Sequence, residues 1–403
     1  MFARTNSIPG VVPKGAVPVR IVDVCAFYSP SGGGVRTYVD AKLRSASRLG
    51  HEIVVLTPAE NAEVVEVAPG ALLAGIPAPT MPFDRRYRYF NDTVRLHREL
   101  DLWRPDHVEC SSPWSSASAV ARWRGSATRS LFMHSDPMAA YAYRWFGFLN
   151  PAVVDGLFSR FWDHMRFLGR SFDAVISPSR QLAERLRQRG LTNVWTVPLG
   201  VEGSFSPARR DPELRRKLLA EMGLTPDAKL LLSVGRLAPE KRPELIARAV
   251  ADAGRSRDIG LVLVGEGPMR RKIEKVAAAS GRIRLLGHIS DRDLVARLMA
   301  SADALVHACE AETFGLVLAE ALASGTPVVV PDRGGAFEQL RPGCGQSYRA
   351  GDKAELTKAL VQLVDAGRCL CSADGRVPDP RLMEDHFREL FGLFGEFACA
   401  EAA

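Results

Sequence analysis

Apolar residues fall along this chain in short runs bounded by glycine, proline and small polar residues, and between the runs they recur at helical spacing. "VRIVDVC" (19–25) and "EIVVLTP" (52–58) are apolar at nearly every position, the pattern of strands buried on both faces. Between them, "GVRTYVDAKLRSASRLG" carries helical spacing and stops at Gly50. Further strands are predicted at 107–110, 129–134, 174–179 and 194–200, with helices at 86–103, 114–124, 152–170 and 179–189. A repeated strand–helix–strand order predicts a parallel sheet covered on both faces.

"PLGVEGSFSP" (198–207) joins proline and glycine with little periodicity and reads as an interdomain linker. The pattern then restarts. Strands are predicted in "KLLLSVG", "IGLVLVGEGP", "RIRLLGHI", "ALVHAC" and "TPVVVPD", with helices between them and an amphipathic helix over 380–399. The expected fold class is α/β: two doubly wound, Rossmann-like domains facing each other across a cleft, the default ligand site. The expected boundaries are a disordered lead at 1–18, a first domain at 19–198, a second at 199–378 and a terminal segment at 379–403.

A length of 403 residues, 46% of them hydrophobic, suits two cores. No apolar run reaches the roughly 18 residues of a membrane helix. The lead is positively charged without an apolar segment, so no signal peptide is expected. Seven scattered cysteines point to a reducing compartment, and Cys369 and Cys371 have no neighbouring ligands that would make a metal site. The net charge of +7 belongs to the first half, with 24 basic and 17 acidic residues in 1–200 and 29 of each beyond. This surplus is either an arginine-rich surface or a face for something anionic, such as a bilayer. In "RRYRYF" (85–90) and in 144–170, arginines interleave with Phe and Trp, compatible with helix packing or with an interfacial patch. No dense basic run or binding motif points to nucleic acid.

Ligands of open parallel sheets sit at the carboxyl ends of strands. After the first strand, Gly32, Gly33 and Gly34 precede a helix, either as an anion cradle or as a flexible connection. After "LLLSVG", Arg236 and Lys241 can clamp a diphosphate from two sides, or line a solvated loop. His134, at the end of "RSLFMH", could hydrogen-bond a substrate hydroxyl; taken alone it reads better as a core or capping histidine. In "ETFGLVLAE" (312–320), Gly315 starts a helix with Glu312 just ahead of it and Glu320 about a turn and a half in. Amide groups near Phe314, Gly315 and Leu316 can bind a phosphate or hydroxyl, and Glu320 can accept from a pair of hydroxyls, as on a ribose. "VGEGPMRR" holds half a dinucleotide fingerprint, with Arg270 where the third glycine belongs. An oxidoreductase or a non-catalytic nucleotide-binding module would need that glycine and a later acid.

Taken together, "GGGVRTYV", "VPLGVE", "GRLAPEKRPEL", "GEGP" and "ETFGLVLAEALASGTPVV" resemble glycosyltransferase family 4, retaining enzymes of the GT-B fold, over roughly 20–395. The resemblance implies an acceptor-binding first domain, a nucleotide-sugar-binding second domain and a C-terminal helix that crosses back to the first. It implies that Gly33 and Gly34 contact the donor phosphate or sugar, and that Arg236 and Lys241 hold the diphosphate and stabilise the leaving group. Glu312 and His134 would line the donor sugar, Glu320 would bind the ribose, and groups near Gly287 and His288 would read the base. "AET" stands where Glu-Gly is frequent before Phe-Gly. No metal or other cofactor is implied. The expected donor is GDP-mannose, with a UDP-hexose next and a GT-B epimerase as a further possibility. The acceptor would be a hydroxyl of a glycolipid or lipid-linked glycan. The expected place is the cytoplasm, with peripheral contact at the inner membrane face through the basic first domain. Front-face attack and a covalent intermediate both stay open.

Overall fold

The computed structural model describes residues 18–28, 33–82, 87–366 and 379–402. Residues 1–17 of the predicted lead, Gly32, Arg85, Arg86, Cys369 and Cys371 lie outside them. The chain divides into two compact units, one running to Pro198 and resuming at Met383, the other spanning Leu199–Leu382.

The first unit is built on β1 (Arg20–Val24), β2 (Glu52–Ala59), β3 (Glu63–Ala68), β4 (Ala71–Pro77), β5 (His107–Cys110), β6 (Thr128–Phe132), β7 (Ala174–Ser177) and β8 (Val194–Thr196). Their order is β3-β4-β2-β1-β5-β6-β7-β8, parallel throughout except for the β3–β4 pair. The fully apolar strands are buried on both faces: Ile21, Val22, Ile53, Val55, Leu131 and Val175 are inaccessible. The β3–β4 hairpin, which turns at Gly70 (φ 71°), was not foreseen. Its "EVVEVA" strand leaves Val64, Val65 and Val67 exposed, so it follows no in–out alternation that would mark it.

Two predicted helices differ. The one expected over 86–103 runs Thr93–Trp103, because Asp92 caps it by accepting from the Arg95 amide at 2.9 Å, while Arg88 pairs with Thr80 in a β-bridge. The one expected over 152–170 is two helices, Pro151–Leu157 and Ser159–Ser171, with Phe158 out of helical conformation between them. The terminal helix Met383–Ala402 packs on the first unit and buries Phe387, Phe391 and Phe394, the last stacked 3.8 Å from the His107 ring.

The second unit carries β9 (Lys229–Val234), β10 (Ile259–Val264), β11 (Ile283–Gly287), β12 (Ala304–Val306), β13 (Val328–Pro331) and β14 (Gly345–Tyr348). The order β11-β10-β9-β12-β13-β14 is wholly parallel. Strand β14 and the helices Pro212–Glu221 and Lys353–Asp365 were not foreseen. In both units the strand order reverses beside the first strand, between β1 and β5 and between β9 and β12. Loops that leave a sheet in opposite directions open a crevice at such a point.

Candidate active site

In a wholly parallel sheet, every carboxyl end lies on one edge. In the second unit that edge collects Gly235 and Arg236 after β9, Gly265–Gly267 after β10, His288 after β11 and His307–Glu312 after β12. At the switch point, Lys241 from the β9 loop donates a hydrogen bond to Glu312 from the β12 loop. The Lys241 side chain is 32% exposed and that of Glu312 16%. Burial opposes the charge on each, but their attraction prevails: Lys241 is held above its ordinary value and Glu312 well below it, with His307 adding to the pull on the acid. Both stay ionised at neutral pH. Arg236 extends a half-exposed guanidinium from the same loop and pairs with Glu240 at 2.5 Å.

Neighbouring loops hold this arrangement by backbone contact. A Cβ on Gly265 would lie 1.9 Å from the Gly235 carbonyl oxygen, and one on Gly267 2.4 Å from that of Leu237. Gly235 donates to Val264 and Leu237 to Glu266, each at 2.9 Å. The "GEG" glycines thus pack the β10 loop against the loop that presents Arg236, and Arg270 pairs with Glu266 and Glu274. The half-fingerprint has a packing role here. On the other side, Gly335 donates to the Glu312 carbonyl at 2.7 Å, and a Cβ there would fall 2.3 Å from the Thr313 oxygen. Arg242, adjacent to Lys241 and in left-handed conformation (φ 47°), donates to Glu310. This pair ties the Lys241 loop to the Glu312 loop.

Glu320 lies on the helix Leu316–Ala323, which Gly315 caps with φ 81°; Phe314 precedes it, buried. Glu320 is 4% exposed and accepts from Arg292, whose Nε lies 3.3 Å from Glu202 and whose guanidinium covers the Phe205 ring. Burial lifts its carboxyl to about 6 against the opposing pull of Arg292. Gly287 (φ 75°) accepts from Gly265 at 2.7 Å, and His288 is exposed beyond it. Arg292, Glu202, Arg242, Glu310 and His307 were not foreseen. The available signal was that a buried acid requires a partner. Among the described residues, His307, Cys309 and Glu312 bring a nitrogen, a sulfur and an oxygen within 4.8 Å of one another.

In the first unit, Gly33 and Gly34 open the helix Gly34–Leu49 with no atom within 4 Å of an added Cβ. Lys42 on that helix enters the sheet at its switch point, where Nζ lies 2.8 Å from both Asp23 of β1 and Glu109 of β5, all three inaccessible to solvent. Ser111 donates to Asp23 at 2.7 Å. Burial raises the Glu109 carboxyl to about 7 despite Lys42. The network pins the glycine-headed helix to β1 and β5. His134 follows β6 with its ring centroid 4.7 Å from that of Tyr38 and 4.5 Å from that of Phe132. Burial lowers it to about 4, so it is a neutral hydrogen-bonding group at physiological pH. Arg88 donates to the Ala78 carbonyl at 2.7 Å and to Glu60 at 3.0 Å, so its guanidinium is already committed within the fold. No described helix is long and apolar enough to cross a membrane.

Two doubly wound units with a cation–acid cluster at a switch point define the class: a GT-B glycosyltransferase. Residues 32–204 match the family described as Glycosyltransferase Family 4, and residues 215–368 the one described as Glycosyl transferases group 1. The chain belongs to glycosyltransferase family 4. It is 33% identical, over 77% of its length and 79% of the relative's, to a GDP-mannose-dependent alpha-(1-6)-phosphatidylinositol dimannoside mannosyltransferase of Mycobacterium tuberculosis. It is 29% identical to a D-inositol 3-phosphate glycosyltransferase of Geodermatophilus obscurus, over 90% of this chain and 86% of that one. Its fold matches that of sucrose-phosphate synthase from Thermosynechococcus elongatus with a TM-score of 0.73 at 19% identity, covering 94% of this chain and 99% of that one.

Proposed function

We propose that the enzyme transfers mannose from GDP-mannose to a hydroxyl of a glycolipid or lipid-linked glycan, with retention of anomeric configuration and without a metal ion. The observation that carries this reading is the ionised Lys241–Glu312 pair beside Arg236 at the β9–β12 switch point. When the bond from the anomeric carbon to the diphosphate breaks, its electron pair goes to the departing oxygen. Preorganised cations stabilise charge where it develops, and one such group is worth about 2.7–4 kcal/mol. Arg236 and Lys241 supply that charge from the chain itself. The acceptor oxygen bonds to the anomeric carbon and gives up its proton. Glu312 faces the sugar hydroxyls, Glu320 takes the ribose in place of Arg292, and Gly287 and His288 border the base. In the first unit taken by itself, Gly33 and Gly34 at the head of their helix and neutral His134 offer polar groups that suit a phosphate or a sugar hydroxyl. The mycobacterial relative's donor and glycolipid acceptor favour this reading over a UDP-hexose.

A donor screen tests it. The purified enzyme should release GDP from GDP-mannose with undiminished rate in EDTA, and UDP from UDP-hexoses far more slowly. Faster UDP release would reassign the donor. Tight nucleotide binding without turnover, with or without acceptor, would favour a binding module, and formation of an isomeric sugar an epimerase. Strict dependence on Mg²⁺ or Mn²⁺ would overturn the cation clamp.

Membrane contact is part of the proposal. Trp145, Phe148 and Leu157 are 58%, 81% and 63% exposed, and Arg160 is exposed on the same stretch. Aromatics at the boundary with arginines on anionic headgroups suit reversible docking, about 1 kcal/mol per near-surface charge. The enzyme should co-sediment with anionic vesicles but not neutral ones, and about 0.5 M salt should release it. Equal behaviour with both would leave a soluble acceptor as the better reading.

A further inference from the structure

The β12 loop holds a donor set of which the proposed transfer uses only Glu312. His307, Cys309 and Glu312 follow one another at spacings of two and three residues, and a ring nitrogen, Sγ and a carboxylate oxygen from them lie within 4.8 Å of one another. His307 is 6% exposed; its Nε2 is buried and lies 3.3 Å from Glu312 Oε1, in ion-pair range but out of hydrogen-bonding geometry. Cys309 is a free thiol, 2% exposed. His307 Nε2 thus faces a carboxylate at ion-pair distance, without a well-aligned hydrogen bond to it, beside a buried thiol.

We propose that His307, Cys309 and Glu312 form an inhibitory site for a thiophilic divalent cation of the Zn²⁺ class. The proposal rests on the transferase reading for its effect on activity, but not for binding. One nitrogen, one sulfur and one oxygen ligand is the borderline-soft set that suits Zn²⁺, and three protein ligands leave a fourth position for water. Bond lengths of about 2.0–2.3 Å require the donors to draw in by roughly 1 Å. Binding replaces the Cys309 S–H bond with a sulfur–metal bond, and the proton leaves to solvent. Glu312 is also the acceptor for Lys241. The metal and the ammonium therefore compete for one carboxylate, and the bound ion expels Lys241 from its position. Binding is thus weaker than at a dedicated structural site, and its consequence is loss of the cation that meets the diphosphate. Mg²⁺, which takes oxygen ligands, does not compete.

Cd²⁺ titration of the full-length protein tests the site through the ultraviolet thiolate-to-metal charge-transfer band, which reads independently of catalysis. The wild type should show a band, saturating at micromolar Cd²⁺, that exceeds the band of Cys309→Ser by one thiolate; comparing the two removes the contributions of Cys369, Cys371 and the exposed Cys399. His307→Gln should weaken the same binding at least tenfold. In the donor assay, micromolar Zn²⁺ should inhibit the wild type, EDTA should restore it, and Cys309→Ser should keep its metal-free rate while needing at least tenfold more Zn²⁺. An identical band in wild type and Cys309→Ser, or none up to millimolar Cd²⁺, overturns the site. If the band is present and the wild type turns over no donor, the metal site stands and the transferase reading falls.

Discussion

Replacing Lys241 with Met separates two jobs that its ammonium could do. In the free enzyme it neutralises Glu312, which is otherwise an ionised acid at 16% exposure beside His307. Removing one member of a fully buried pair costs about 3–5 kcal/mol. Solvent reaches a third of the Lys241 side chain, so about 1–2 kcal/mol is the better expectation here. For a unit of this size that corresponds to a fall in Tm of about 3–7 °C. The second job is charge stabilisation of the leaving diphosphate. Its loss should lower kcat/KM about 10²-fold or more and weaken GDP binding about tenfold. The double variant Lys241→Met/Glu312→Gln distinguishes the two, because it removes the uncompensated acid without restoring a cation. Its melting temperature should return close to wild type, measured by calorimetry, while GDP affinity, measured by titration calorimetry, should stay low. If GDP affinity recovers together with Tm, Lys241 acts only by neutralising Glu312, and the leaving-group clamp is refuted.

Glu320→Gln should raise the Kd for GDP about tenfold with kcat at saturating donor little changed, since a ribose contact contributes to binding rather than to the reacting centre. The wild-type carboxyl sits at about 6, above its ordinary value, so it gains a proton as pH falls from 7 to 5; GDP affinity should fall across that window, the folded unit should gain stability from it, and both trends should vanish in Glu320→Gln. Lys42→Met leaves Asp23 and Glu109 buried without their cation, and urea denaturation should show a loss of about 3–5 kcal/mol. Because burial raises Glu109 from an ordinary 4.5 to about 7 when folded, its contribution is fully present at low pH and is lost as pH rises to about 7, so the wild-type urea midpoint should decline between pH 4.5 and 7 and that decline should flatten in Glu109→Gln. Gly265→Ala places a Cβ 1.9 Å from the Gly235 oxygen at φ 140°, and should cost about 3 kcal/mol in denaturation while lowering kcat through the displaced Arg236 loop.

What the sequence disclosed follows from how far apart the interacting residues stand. Strands such as "VRIVDVC" announce themselves because burial on both faces is written into consecutive positions. The helix after Gly315 and its two flanking acids were legible for the same reason: the spacing is local, and the helical repeat fixes it. The partners of those acids were not. Glu310 and Arg242 are 68 residues apart, Glu320 and Arg292 28, and Arg292 and Glu202 90. Arg242 meets Glu310 because β9 and β12 are neighbours in the sheet, and Arg292 meets Glu320 because the helices that follow β11 and β12 pack on each other. Burial of Glu320 demands a cation, but nothing in the local pattern says which of the 53 basic side chains supplies it. The "GEG" loop shows the converse. Two glycines at the end of a strand look like a phosphate cradle in one dimension; in three, the nearest atoms are carbonyl oxygens of the neighbouring loop. Short motifs name the positions where backbone must come close, and the sheet order decides whether the thing that comes close is a ligand or another strand's loop.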